Sequence, residues 1–184
     1  MQSKNNLDSL SRLAALALII ILSPILFLIA LRLLISHKTP VIFTQVRIGH
    51  EQRAFKLYKF RTLSIKEDGV TKPLDQFSRF LRETRLDELP QIFNVLKGDM
   101  HLIGPRPYSL QDHSNMAKLP GFLHRYTVKP GITGYAQSIG LHGPMHSKSE
   151  QAKRLEADLY YIKNRSLVGD VRIILKTLKI ALNL

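Results

Sequence analysis

The run from Arg82 to Pro107, RETRLDELPQIFNVLKGDMHLIGPRP, concentrates the residues that could do chemistry. Two carboxylates, Asp87 and Glu88, stand side by side after Arg82 and Arg85, and Arg106 follows between Pro105 and Pro107. The pattern predicts a helix with Pro90 in its first turn, Asp87 at or near the N-cap and Glu88 in the first turn. Consecutive helical residues diverge by about 100°, so the two carboxylates do not share one proton, though both can reach one ligand lying across the helix end. Such an end carries partial positive charge and free N–H groups, and it binds phosphate. It also favours acidic side chains purely as caps, and capping is the plain alternative. The arginines add to the first reading. A carboxylate among arginines stays ionised and can act as a nucleophile. A second carboxylate beside phosphates suits Mg²⁺, a hard ion that takes oxygen ligands. Prolines on both sides stiffen the backbone that presents Arg106. The constellation suits phosphoryl transfer.

Other chemistries lack their residues. The chain has no cysteine, which excludes disulfides, thiolate metal sites and a Cys nucleophile. No Walker-type loop, G-x-G-x-x-G or H-E-x-x-H occurs. His142 and His146 are four apart, but Gly143-Pro144 between them argues against a helical ligand pair. With 184 residues, 45% of them hydrophobic, the chain suits one domain with a real core plus a small extra element. Its net charge of +13 implies an anionic partner: nucleic acid, anionic lipid or a phosphorylated substrate.

The elements that must hold these residues are readable in outline. Residues 41–63 read as two short strands around a polar turn at Gly49-His50-Glu51-Gln52, with Val41, Phe43, Phe55 and Leu57 as the β-prone positions. A plain hairpin does not explain its basic residues Arg47, Lys56, Lys59 and Arg61. Residues 64–73 read as a loop. From Leu74 the pattern is helical, with Phe77, Phe80 and Leu81 on one face, then a core stripe of Leu86, Leu89, Ile92, Phe93 and Leu96. Residues 98–146 are rich in Gly and Pro and read as loops, where binding residues concentrate. A helix over 149–164 carries Arg154, Asp158 and Tyr161 along one stripe. The last segment is amphipathic, with Arg172, Lys176 and Lys179 opposite Val171, Ile174, Leu175 and Leu178; it reads equally as a packed helix or as one lying on anionic lipid.

Leu13–Leu31, LAALALIIILSPILFLIAL, carries no charge and has the length of a membrane helix. Hydropathy reads it as a spanning anchor. Ser23-Pro24 in its middle predicts a kink, and Lys4, Arg12, Arg32 and Lys38 flank both ends, so the positive-inside rule gives no orientation. These two features suit a helix that enters and leaves at one face.

The motifs FTQVRIG, FKLYKFRTL, TRLDELPQIFNVLKGDMHLIGPRP, VKPGITGYAQ and DLYYIKNRSL together resemble the bacterial sugar transferases that are monotopic phosphoglycosyl transferases. The likeness runs from about Leu13 to Leu182, in the length of the minimal, catalytic-domain-only members. It implies an α+β fold: a mainly helical catalytic domain over 39–184 with a short β-hairpin, a re-entrant membrane helix within 1–38 broken at Ser-Pro, and interfacial amphipathic helices. It implies transfer of a sugar-1-phosphate from a UDP-sugar to undecaprenyl phosphate, with release of UMP. By the same resemblance Asp87 is the nucleophile, Glu88 the Mg²⁺ ligand, and Arg47, Lys59, Arg61, Arg85, Arg106, Lys129 and Asp158 bind substrate. The location implied is the cytosolic face of the bacterial inner membrane. The partners are the two substrates and the bilayer, without nucleic acid, and homodimerisation is left open. The chain departs from the family at Gln52, often Gly, at Leu63, often Met, at His101, often Ser, and at SIGLHGPMH, where an Asn-Gly-Arg-Asn-like stretch is usual. The rival reading is a single-pass, membrane-anchored basic module that binds anionic lipid or nucleic acid without catalysis. Against it, the basic residues are dispersed among turn motifs, and aromatics are 8% with no Trp.

Overall fold

The computed structural model describes residues 2–37, 40–65, 71–143, 145 and 147–181. Lys38, residues 66–70, His146 and Leu182 lie outside the described residues. Among the described residues the fold is mainly helical α+β, with three two-stranded sheets and a long apolar N-terminal helix.

That helix, α1 (Gln2–His37), contains Pro24 and is not interrupted at it. Proline withholds the N–H that would bond the carbonyl four residues back. Here that carbonyl belongs to Ile20, and the Ser23 hydroxyl donates to it at 2.8 Å. Within α1, Leu7–His37 is long and apolar enough to cross a membrane. The helix is also part of the core. Ala15, with Leu18, Ile19 and Leu22, packs on Leu57, Ile92, Val95 and Met100. Beyond Pro24, Ile29 and Leu33 pack on Phe60 and Leu81. The other face, including Leu13, Leu16, Ile20, Phe27, Leu28 and Ile35, is exposed.

The predicted hairpin forms as β1 (Ile42–Ile48) and β2 (Ala54–Phe60), antiparallel with Phe43 opposite Lys59. The turn between them holds Glu51 and Gln52 at φ 53° and 60°, both left-handed. The segment read as a loop over 64–73 instead includes a second small hairpin, β3 (Leu63–Ile65) with β4 (Thr71–Pro73). Its strands are three residues each, too short for a periodic signal.

Helix α2 (Gln76–Glu83) is capped by Asp75, whose carboxylate accepts from the Ser78 N–H at 2.7 Å. It buries Leu81 but exposes Phe80, and α3 (Gln91–Lys97) buries Ile92 and Val95 but exposes Phe93, so both apolar stripes are narrower than their sequence suggests. Gly98 ends α3 at φ 89°, and the Arg12 guanidinium of α1 lies so close that a Cβ there would collide with it.

The Gly/Pro-rich stretch holds more order than a loop reading allows. Strands β5 (His101–Ile103) and β6 (Gly131–Thr133) pair in parallel, and between them lie α4 (Leu110–Met116) and a 3-10 helix, Phe122–Thr127. Parallel strands need such a crossover. The strands come close where Gly104 meets Gly131, leaving no room for a Cβ. A short α5 (Tyr135–Ser138), α6 (Lys148–Lys163) and α7 (Leu167–Ala181) follow. In α6, Arg154, Asp158 and Tyr161 share one stripe, and all are buried. In α7 Ile173 and Asp170 are buried, while Val171, Ile174, Leu175 and Leu178 form an exposed apolar stripe.

Candidate active site

Asp87 and Glu88 do not open α3. They form a separate 3-10 turn, Leu86–Glu88, and α3 begins after Pro90. Two local features explain the difference. Arg85 adopts the left-handed region, φ 62°, and turns the chain sharply after α2. Pro90 has no N–H to return to Leu86, so the turn closes by three-residue bonds, Glu88 N–H to Arg85 O and Leu89 N–H to Leu86 O. The start of α3 has no side-chain cap, so neither carboxylate serves as its N-cap.

The neighbouring carboxylates have different surroundings. Glu88 is clamped: Lys59 Nζ donates to Oε1 at 2.7 Å, and Arg106 donates to Oε1 at 2.9 Å and to Oε2 at 3.3 Å. Burial by itself raises the Glu88 carboxyl, but Arg106 and Lys59 outweigh it and hold it well below the usual carboxylate range. Asp87 is 5% exposed and, among the described residues, has no hydrogen bond or ion pair. Burial and then the charge of Glu88 raise its carboxyl above the ordinary value, with Lys59, Arg82 and Arg85 pulling partly the other way. Lys59 is itself pushed down by burial despite Glu88. The result is one carboxylate fixed by two cations beside one left unbonded and more basic than usual.

Each partner is held by its own element. Lys59 shares a strand face with Leu57, which packs on Val95, so β2 lies against α3. Asn94 of α3 pins that contact, accepting from Tyr58 N–H at 3.0 Å and donating to Lys56 O at 2.7 Å. Arg106 follows β5 on a turn whose carbonyls are held from outside: Gly131 N–H bonds Pro105 O at 3.0 Å, and Ile48 N–H bonds Tyr108 O at 2.9 Å. Arg47 on β1 joins the edge of the group. It contacts Gln45 and Asp112, and its charge is felt at Arg106 and Glu88.

Of the residues the sequence nominated, the fold brings together Asp87, Glu88, Lys59 and Arg106, with Arg47 and Arg85 at the margin. It draws three others away. Arg61 donates to Pro40 O at 2.9 Å and lies over Phe43. Lys129 pairs with Asp8 of α1 at 2.6 Å. Asp158 is enclosed and paired with Arg125 at 2.9 Å. Asn94 and Arg125 were not nominated. An Asn amid the apolar stripe Ile92–Leu96, and an Arg between Phe122 and Tyr126, were the available signals.

A family model described as bacterial sugar transferase matches residues 3–183. The chain belongs to the bacterial sugar transferase family. A UDP-glucose:undecaprenyl-phosphate glucose-1-phosphate transferase of Klebsiella pneumoniae is 41% identical over 87% of this chain and 36% of its own length. A UDP-N-acetylgalactosamine-undecaprenyl-phosphate N-acetylgalactosaminephosphotransferase of Aeromonas hydrophila is 38% identical over 91% of this chain and 41% of its own length. The chain therefore spans less than half the length of either relative. The exopolysaccharide production protein PSS of Rhizobium leguminosarum bv. phaseoli is 36% identical over 95% of this chain and 92% of its own length. Among the described residues, no group of three or more His, Cys, Asp or Glu converges.

Proposed function

We propose that this chain transfers a sugar-1-phosphate from a UDP-sugar to undecaprenyl phosphate, the first membrane step in assembling a bacterial polysaccharide. Membership of the family and the names of its relatives support the reaction class. The observation that carries the mechanism is the unbonded, raised Asp87 carboxylate next to a Glu88 fixed by Lys59 and Arg106.

The reaction runs in two displacements. An Asp87 oxygen attacks the β-phosphorus of the UDP-sugar, the bond from that phosphorus to the bridging oxygen breaks, and UMP leaves with the electron pair. A phosphate oxygen of undecaprenyl phosphate then attacks the same phosphorus, and the bond to Asp87 breaks, restoring the carboxylate. Lys59 and Arg106, with Arg47 and Arg85 at the margin, offset the diphosphate charge. Burial keeps Asp87 poorly solvated, which strengthens it as a nucleophile.

The residues fit Mg²⁺ in one form. Three N–H bonds already occupy Glu88, leaving one lone pair on Oε2, and Lys59 and Arg106 repel a cation that arrives alone. An Mg²⁺ that enters with the diphosphate would be held at Glu88 or Asp87 together with the phosphates, and would supply positive charge against the negative charge that builds on them.

We further propose that α1 sits in the cytosolic leaflet and leaves it on the side it entered. Its two ends are tied to one body: Asp8 to Lys129 and His101, and Arg32 and His37 to Asp75. Those ties are separated by roughly 40 Å of helix, more than the hydrocarbon thickness of about 30 Å. A helix crossing upright would drag the catalytic body into the bilayer. The exposed apolar stripe of α7 offers a second lipid-facing surface. The basic-module alternative gives the clamped Glu88 and unbonded Asp87 no task. The discriminating assay measures UMP released from a panel of UDP-sugars with undecaprenyl phosphate, with and without Mg²⁺. Mg²⁺-dependent UMP release supports the proposal, and binding of anionic vesicles without UMP release from any sugar supports the module.

A further inference from the structure

We propose that Arg125, oriented by Asp158, is the positioning residue that holds Arg106 at the reacting phosphates. This rests on the role given above to Arg106.

The turn that presents Arg106 is poor in its own hydrogen bonds. Pro105 and Pro107 have no N–H, so the turn cannot close on itself and is held by donors reaching in from other elements. Two of these are backbone groups, Gly131 N–H and Ile48 N–H, and they fix the carbonyls of Pro105 and Tyr108. The carbonyl of Arg106 itself is held by a side chain: Arg125 Nη2 donates to it at 2.7 Å. The same nitrogen donates to Asp158 Oδ2 at 2.9 Å, so its two hydrogens are divided between the turn and α6. The Arg125 guanidinium also lies over the Tyr108 ring, its central carbon 3.7 Å from the ring centroid. Arg125 thus grips the presenting segment at Arg106 and again two residues later.

This arrangement needs an arginine. A lysine could keep the charge and donate to two acceptors, but it has no planar face to lie over Tyr108, so nothing fixes its orientation there. It also needs Asp158. The Arg125 and Asp158 side chains are 2% and 3% exposed, so the carboxylate both compensates the buried cation and sets the plane of its fork. From Arg106 the chain of contacts ends at Glu88, which Arg106 meets with two bonds. Asp158 therefore reaches the site through two arginines and touches no reacting atom.

The test is single-turnover UMP release from a UDP-sugar, with thermal unfolding of each variant, in wild type, Arg125→Lys, Arg106→Ala and the double variant. A displacement of the Arg106 guanidinium by an ångström costs on the order of 10- to 100-fold in rate. Arg125→Lys is expected to lose that much while unfolding cooperatively. In the Arg106→Ala background the same change alters the rate by no more than about twofold, because the group it positions is gone. Equal losses in both backgrounds, or wild-type rate in folded Arg125→Lys, overturn the proposal. Should Arg125→Lys not unfold cooperatively, Asp158→Asn is read in the same two backgrounds, with a smaller expected loss that also vanishes without Arg106; a loss that persists there overturns the proposal. Wild-type rate in Arg106→Ala overturns the reading of the site itself, a result distinct from failure of the positioning chain.

Discussion

Asp87 and Glu88 are chain neighbours whose charges affect stability in opposite directions. The folded-state carboxyl of Glu88 is depressed, so its contribution is present above its ordinary value of 4.5 and is lost only as pH falls through the lower folded value. The folded-state carboxyl of Asp87 is raised, so its ionisation opposes folding, and that cost appears as pH rises from 3.8 through the higher folded value. Asp87→Asn is therefore expected to raise the melting temperature at neutral pH while abolishing turnover, and the gain should shrink as pH falls toward 3.8. Glu88→Gln leaves Lys59 and Arg106 without a counter-charge and is expected to cost about 2 kcal/mol. Thermal melts across a pH series check both signs; a Glu88→Gln protein more stable than wild type would contradict the clamp. The same shift predicts that the acid limb of the rate lies above the ordinary Asp value, since attack requires ionised Asp87.

At the scale of the element, the 3-10 turn gives Asp87 its environment, and the turn depends on Arg85 and Pro90. A side chain at positive φ costs about 1–2 kcal/mol, and glycine escapes that cost. Arg85→Gly is expected to keep or raise the melting temperature even where it weakens substrate binding. Arg85→Val, which fits that region badly, should lower stability by more than about 1 kcal/mol. If both variants melt like wild type, the left-handed turn is not what shapes this segment. The motif residues Asp87, Glu88, Lys59 and Arg106 were legible in the sequence because the carboxylates, prolines and arginines mark themselves by type. Asn94 and Arg125 were not, because each acts on a backbone carbonyl, 38 and 19 residues away, and no local periodicity records such a partner. The N-cap expectation for Asp87 failed for a related reason: the left-handed Arg85 leaves no mark in a sequence where glycine would have been the signal.

At the scale of the molecule, hydropathy found α1 but could not assign its two faces, because a side chain facing protein and one facing lipid are equally apolar. The structure divides them, with Ala15 and Leu33 in the core and Ile20, Phe27 and Ile35 exposed. The exposed Phe80 and Phe93, read from periodicity as core, show the same ambiguity. The one-sided topology yields a prediction in this cysteine-free chain. A single Cys at Ser3 should resist an impermeant thiol reagent in spheroplasts and react after lysis. Replacing Ser23 and Pro24 with Ala and Leu restores the backbone N–H that Pro24 lacks and is expected to favour crossing, with labelling from outside. Outside labelling of the Ser3→Cys protein without those changes contradicts the one-sided topology.

The central claim is that Asp87 carries the phosphosugar between two displacements. Its most direct test is mass spectrometry of the wild-type protein given UDP-sugar and Mg²⁺ with no undecaprenyl phosphate. The account predicts a phosphosugar adduct on the peptide bearing Asp87, UMP in proportion to enzyme, and discharge of the adduct when undecaprenyl phosphate is added. UMP that appears only in the presence of the lipid acceptor, with no adduct under conditions where an acyl phosphate survives, would contradict it.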